Sequence, residues 1–184
     1  MQQVSPNQSV TLSRDIIGIL VPAGERIELP EGTQVAITQA LGGSYTVYIE
    51  GHLMRIDGLD ADALGMEPEP PPELPEDASD EDVEKLAWEL LHTCYDPEIP
   101  VDIVELGLVY DCEVKPQPDG QREIAVRMTL TAPGCGMGDV MVADVRGKLE
   151  RIPTVSKAEV EMVFDPPWTQ DMMSETARLK TGMI

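Results

Sequence analysis

One cysteine of the chain lies in a glycine-rich loop whose residues suit thiol chemistry. Cys135 stands between Gly134 and Gly136 in the stretch that starts at Thr131, after a strand-like alternation and before a helical pattern. Glycine allows tight turns and the close approach of another group, and free N–H groups at a helix start stabilise an anion. In such settings the pKa of a cysteine falls from ~8.5 to roughly 3.5–7.5. We therefore predict that Thr131, Gly134, Cys135 and Gly136 bind a metal-containing group through a thiolate, which is a soft ligand for iron and copper(I).

Two other interpretations fit parts of this loop. A small buried cysteine at a tight turn would show the same residues without any reactivity. A dinucleotide-binding turn is disfavoured, because its third glycine would fall at Asp139 and place a carboxylate where the pyrophosphate approaches. Iron–sulfur clusters usually take four ligands. A metal bound at Cys135 must therefore be shared with a second protomer, a client protein or a small thiol.

The remaining two cysteines are predicted to be core residues. Cys94 continues the apolar stripe of a helix, and Cys112 shares a strand face with Tyr110 and Val114. We expect neither thiol to take part in chemistry.

The turn Asp96-Pro97-Glu98 offers two carboxylates. Asp96 and Glu98 would act as hard metal ligands or proton acceptors near the thiol, or Asp96 would simply stabilise a turn, and the sequence leaves both options open. Asp102 and Glu105 are expected to be solvated loop charges. His92 is the one histidine placed to serve as a base if the protein were a thiol enzyme.

The composition restricts the class of partner. There are 13 Lys and Arg against 34 Asp and Glu, a net charge of −21, which disfavours nucleic acids and anionic membranes as partners. Three cysteines without a CxxC pair indicate a reducing compartment. No apolar run approaches the ~20 residues of a membrane span, and the first ten residues do not resemble a signal peptide. We expect a cytoplasmic protein.

The chain is predicted to be α+β with two domains. Residues 66–78, which include MEPEPPPELP, form an acidic, proline-rich linker. Residues 1–65 show short strand patterns with turns, typical of a small β-rich domain, either a barrel or a sandwich. Residues 79–184 form the second domain.

The second domain is predicted to have the order α-β-β-α-β-α. A capping box of Ser79 and Asp82 starts its first helix, and Thr169 is expected to cap the last helix, which begins with Met172 and Met173. The second and third strands are joined by a helix, so they should be parallel. Helices on one face of this sheet leave the other face needing cover, from the β-rich domain or from a second copy, so a homodimer is one expectation.

Three separated segments resemble the metal–sulfur cluster biosynthesis (PaaD-like) domain family. They are DPEIPVDIVELGLVYDCEV (96–114), TLTAPGCGMGD (129–139) and VEMVFDPPWTQDMMSETARLKTGM (160–183). Upstream, LGGSYTVYIEGHLMRIDGLDADALG (41–65) is similar to the SUF-system accessory factors, so that the resemblance spans nearly the whole chain.

The resemblance implies a mixed three-stranded sheet and a role in maturing iron–sulfur proteins rather than in catalysis. It implies that Cys135 is the functional cysteine and that Asp96 and Glu98 form the family's acidic turn. The partners would be the assembly machinery and apo client proteins, and a cluster or iron would be bound only transiently. Many relatives have proline after this cysteine, so Gly136 should give a more flexible loop. An adaptor with an inert thiol and a thiol enzyme are the alternatives.

Overall fold

The computed structural model describes residues 8–96, 99–132 and 136–182. The chain divides into two compact units, residues 1–70 and 71–184. The boundary falls inside the segment predicted as a linker, which contains no helix or strand between Met66 and Ser79. Met66 packs against the core of the first unit, and Leu74 packs against the core of the second.

The first unit is a six-stranded antiparallel sheet. Its strands are β1 (Gln8–Thr11), β2 (Ile16–Val21), β3 (Arg26–Leu29), β4 (Gln34–Leu41), β5 (Ser44–Ile49) and β6 (His52–Ile56). They are ordered β1-β4-β5-β6-β2-β3. The predicted β-rich domain is thus confirmed, and its described strands form one sheet rather than the two of a sandwich.

One face of this sheet carries the core of the first unit. Ile37, Val47 and Ile56 are fully buried there. The 3-10 helix Gly58–Leu64 adds Ala63 and Leu64 to the same cluster. The sequence Gly42–Gly43, with both residues at positive φ, makes the turn between β4 and β5.

The second unit has the predicted order of helices and strands. Its elements are α1 (Asp80–Leu91), β7 (Val109–Pro116), β8 (Arg122–Met128), α2 (Gly138–Leu149), β9 (Val155–Met162), a 3-10 helix (Gln170–Met172) and α3 (Glu175–Thr181). The sheet order is β7-β8-β9. The strand β8 pairs antiparallel with β7 and parallel with β9, as the helical crossover requires. The predicted mixed sheet is confirmed.

Helix α1 starts as predicted but is shorter than expected. The Ser79 hydroxyl accepts the Asp82 N–H at 3.2 Å and the Asp82 carboxylate accepts the Ser79 N–H at 2.9 Å, which completes the capping box. The helix ends at Leu91, although the apolar stripe was predicted to continue to Cys94. The hydroxyl of Thr93 donates to the carbonyl of Leu90 at 2.6 Å and satisfies one of the last carbonyls of the helix.

The predicted start of the last helix is wrong. Thr169 precedes the short 3-10 helix and makes no side-chain cap. Helix α3 begins after Ser174, whose hydroxyl accepts the Ala177 N–H at 3.0 Å. Met172 therefore lies in the 3-10 helix, and Met173 lies between the two helices, where it is buried.

The second face of the three-stranded sheet is charged, so it needs no apolar cover. The opposite face, with Ile124, Val126 and Met128, is buried against the helices. We had expected this second face to need cover from the β-rich domain or a second copy. That expectation assumed an apolar face, and the assumption is wrong. The charged face is formed by alternate residues of the three strands, most of them exposed: Asp111, Glu113, Lys115, Glu123, Ala125, Arg127, Lys157, Glu159 and Glu161.

Among the described residues, no helix is long and apolar enough to cross a membrane.

Candidate functional site

The predicted thiol loop connects the end of β8 to the start of α2. The structure describes Thr131, which is half-buried, and Gly136, which is exposed. Gly134 and Cys135 lie outside the described residues, so their predicted roles stay predictions. The structure defines the elements on either side of them, which are the end of β8 and the start of α2.

Helix α2 begins at Gly138, three residues after Cys135. Its N-cap residue, Met137, is buried and makes no side-chain hydrogen bond to the first turn. A Cβ atom on Gly138 would lie 3.1 Å from Leu130 Cδ1 and 4.0 Å from Met162 Cε, so glycine lets the helix start pack closely against the strand ends. A helix start whose N-cap residue lacks a capping side chain keeps N–H groups that can stabilise a nearby anion.

The strand end that leads into the loop is held on both sides. The N–H of Thr129 donates to the carbonyl of Leu108 at 2.8 Å, and the N–H of Val163 donates to the carbonyl of Met128 at 2.8 Å. Thr129 and Met128 are buried. The loop therefore begins at a rigid part of the sheet, the end of β8.

The segment after β9 packs against the turn before β7. The indole N–H of Trp168 donates to the carbonyl of Leu106 at 2.8 Å, and the hydroxyl of Tyr110 donates to the carbonyl of Pro166 at 2.8 Å. These bonds join two of the three segments that carry the family resemblance, so the two segments form one folded region.

The acidic turn is described only in part. The N–H of Ile99 donates to the carbonyl of Asp96 at 3.3 Å, which closes a backbone turn. Glu98 lies outside the described residues. A ligand role for Asp96 and Glu98 therefore stays a prediction, as does the alternative in which the Asp96 side chain only stabilises the turn.

Asp102 is not the solvated loop charge that the sequence indicated. Its Oδ1 accepts the N–H of Val104 at 3.1 Å and of Glu105 at 2.9 Å, and it lies 3.0 Å from His92 Nδ1. The Asp102 side chain is 14% exposed. It fixes the turn before β7 and ties it to the end of α1. An aspartate that accepts N–H groups two and three residues later forms a known local turn, but its bond to His92 has no local sequence signal.

Glu105 also has a structural role rather than a solvated one. Its carbonyl accepts the N–H of Ser174 at 2.9 Å, and its carboxylate accepts the Ser174 hydroxyl. Ser174 in turn caps α3, so Glu105 anchors the start of the last helix. The two residues are 69 positions apart, and no local sequence pattern indicated the contact.

The two other cysteines are core residues, as predicted. Cys94 is 2% exposed and Cys112 is 5% exposed. Burial, with a smaller contribution from Glu84 and Asp111, raises the pKa of Cys112 to about 12. This thiol therefore stays protonated and unreactive at neutral pH. Within the described ranges, no three or more His, Cys, Asp or Glu side chains are grouped so that they could hold a metal ion.

The second unit is similar to known iron–sulfur assembly proteins. The model of the iron–sulfur cluster assembly protein family matches residues 85–162. The Fe-S protein maturation auxiliary factor of Porphyromonas gingivalis is 44% identical over 95 residues, which cover 52% of this chain and 87% of that protein. The Fe-S protein maturation auxiliary factor SufT of Staphylococcus aureus is 44% identical over 88 residues, 48% of this chain and 96% of that protein.

A solved structure matches a similar share of the chain. The crystal structure of a domain of unknown function, DUF59, from Bacillus anthracis is 37% identical, with a TM-score of 0.49, and covers 57% of this chain and 96% of that one. These matches reach about half of the chain, less than the near-complete resemblance inferred from the sequence. This chain is 44% identical to each of two relatives and covers 87% and 96% of their length. The chain belongs to the iron–sulfur cluster assembly protein family.

Proposed function

We propose that this chain is an auxiliary factor for the maturation of iron–sulfur proteins and that it carries a cluster or iron transiently on Cys135. Maturation of Fe-S proteins is the role named for its relatives from Porphyromonas gingivalis and Staphylococcus aureus. The observation that supports the proposal for this chain is the start of α2. Met137 gives the first turn of this helix no side-chain hydrogen bond, and Cys135 lies two residues before Met137 in the sequence. N–H groups that the Met137 side chain does not cap would favour the thiolate form of Cys135.

The other thiols of the chain are not available as further ligands. Cys94 and Cys112 are buried, and the pKa of Cys112 is raised to about 12. A cluster usually takes four ligands, of which Cys135 supplies one. The remaining ligands would come from an assembly protein, an apo client or a small thiol, so that binding is transient and the cluster is passed on as cargo.

Asp96 and Glu98 are the second part of the proposal. We infer that their carboxylates serve as hard ligands for iron or accept the proton that Cys135 loses. Gly134 and Gly136 would give a partner room to approach the sulfur, and we infer that Thr131 contacts the same bound group. The net charge of −21 favours partners with basic surfaces. The role is that of a non-catalytic carrier or adaptor in the reducing cytoplasm.

Anaerobic reconstitution tests the role of Cys135. Wild type, Cys135→Ser and Cys112→Ala would be reconstituted with iron and sulfide and compared by iron content and visible absorbance. We expect Cys135→Ser to lose the bound iron, while Cys112→Ala, which removes a buried thiol, keeps it. Equal cluster occupancy in wild type and Cys135→Ser would rule out the ligand role and leave the adaptor with an inert thiol.

A further inference from the structure

The strand β9 forms one edge of the three-stranded sheet. Within the part of the chain that the structure describes, it pairs with β8 only, in the order β7-β8-β9. A groove of about 640 Å³ follows this edge and is lined by Arg146, Glu150 and residues 157–161. A sheet edge with a groove beside it is a template for an additional strand.

The backbone of β9 presents hydrogen-bonding groups to this groove. The N–H of Ala158 points away from β8, because it donates to the Glu150 carboxylate at 3.2 Å. Val160, two residues further along the strand, has the same orientation. An incoming strand would therefore find its backbone partners at Ala158 and Val160.

The charges beside Ala158 are complementary to a second copy of the same strand. Lys157 and Glu159 flank Ala158 on the charged face, where they form an exposed ion pair with each other within the strand, and their side chains are 54% and 61% exposed. When two copies of β9 pair antiparallel about a twofold axis at Ala158, Lys157 of each copy lies opposite Glu159 of the other. Opposite charges at such cross-strand positions are stabilising. A register centred on Val160 would instead place Glu159 opposite Glu161, which is repulsive.

We infer that a second copy of this chain pairs along β9 in this register and joins the two sheets into one. The interface follows from the β9 edge and does not depend on metal binding at Cys135. It also differs from the dimer expected from the sequence, which was to cover a face of the sheet.

Glu150 competes with this interface in the monomer. Its carboxylate occupies the Ala158 N–H and must move away before a second strand can bind. Capping an edge group in this way is a common protection against unwanted pairing. Glu150→Ala should therefore tighten the dimer.

Sedimentation of the full chain over a range of concentrations tests the inference. We expect Lys157→Glu and Glu159→Lys each to weaken the dimer by about tenfold, because two attractive pairs become repulsive. The double variant restores the complementary charges and should recover the wild-type affinity. Lys115→Glu is the matched control, because Lys115 pairs with Glu113 at 3.4 Å on β7, the opposite edge of the sheet. This substitution should leave the affinity of the dimer unchanged.

Three results would overturn the inference. They are a wild-type protein that stays monomeric throughout, a double variant as weak as the single variants, and a Lys115→Glu variant that weakens the dimer as strongly as Lys157→Glu. Circular dichroism of each variant checks that it is folded. Because Glu150→Ala should bind its second copy more tightly than wild type does, misfolding of a variant cannot produce the expected pattern.

Discussion

The carbonyl oxygen of Met172 occupies the space that a side chain at Gly107 would need. A Cβ atom at residue 107 would lie 2.2 Å from this oxygen, and the φ angle of Gly107 is 71°. The turn before β7 and the segment after β9 therefore approach each other at a position where glycine alone fits. This contact fixes the segment that also holds Trp168 and Ser174.

Gly107→Ala should destabilise the second unit by about 3 kcal/mol, because a left-handed backbone costs an alanine about 1–2 kcal/mol and the backbone contact adds to it. Urea unfolding followed by tryptophan fluorescence measures this loss, since Trp88 and Trp168 both lie in the second unit. Gly120→Ala is the control. Gly120 has a φ of 82° but nothing within 4 Å of its Cβ position, so its loss should be only about 1 kcal/mol. Equal losses would show that the Met172 contact is unimportant.

Arg122 connects three parts of the second unit. Its guanidinium donates to Asp80 Oδ1 at 2.6 Å, to Thr154 Oγ1 at 2.8 Å and to the carbonyl of Ala78 at 2.7 Å. Its side chain is 14% exposed. Arg122→Ala should therefore lower the free energy of unfolding by about 2–3 kcal/mol, because it leaves these acceptors without their donor.

Arg127, on the same strand, is the matched control for Arg122. Its side chain is 51% exposed and lies 3.9 Å from Glu161. Exposed pairs of this kind contribute little, so Arg127→Ala should cost at most about 0.5 kcal/mol in the same urea experiment. A cost as large as that of Arg122→Ala would contradict the proposed difference between the two arginines.

The order of elements in the second unit could be predicted because each element has a local signal. The Ser79 capping box and the alternation around Val126 each act within a few residues. The sequence could not predict that Asp102 bonds to His92 or that Glu105 anchors Ser174, because these partners meet only after folding. The start of α3 was misplaced for the same reason: Thr169 and Ser174 are both good caps, and the contact with Glu105 selects Ser174.

The sequence predicts where the thiol loop lies in the fold but not the conformation of a loop. The alternation of β8 and the helical pattern of α2 correctly place the loop between them, but Gly134, Cys135 and Glu98 lie outside the described residues. A loop conformation depends on long-range contacts that a local pattern does not encode. Anaerobic reconstitution of wild type and Cys135→Ser tests the ligand role of Cys135.

Cys112 should resist alkylation in the folded protein. Burial raises the pKa of its thiol to about 12 from the ordinary value of 9.0, so the reactive thiolate is scarce at pH 8. Iodoacetamide treatment followed by peptide mass spectrometry should modify Cys112 only after unfolding in urea. Modification of native Cys112 at the rate seen in urea would contradict the burial.

The same shift predicts a loss of stability in alkaline solution. The folded state holds the Cys112 proton up to about pH 12, whereas the unfolded thiol loses it near 9.0. The stabilising effect is therefore complete below pH 9 and is lost as the pH rises toward 12. Urea unfolding at a series of pH values should show this decrease in wild type and a smaller one in Cys112→Ala. Identical slopes in both proteins would assign the decrease to other groups.

Asp102 and His92 form a pair in which only the aspartate is expected to be essential for the fold. Removing the Asp102 side chain leaves the N–H groups of Val104 and Glu105 without their acceptor in a partly buried turn, so Asp102→Ala should cost about 2 kcal/mol in the free energy of unfolding. The His92 side chain is 46% exposed, and His92→Ala should cost less than about 1 kcal/mol. Urea unfolding measures both. If His92→Ala were as costly as Asp102→Ala, the bond between the two side chains, rather than the backbone turn, would be the main source of stability.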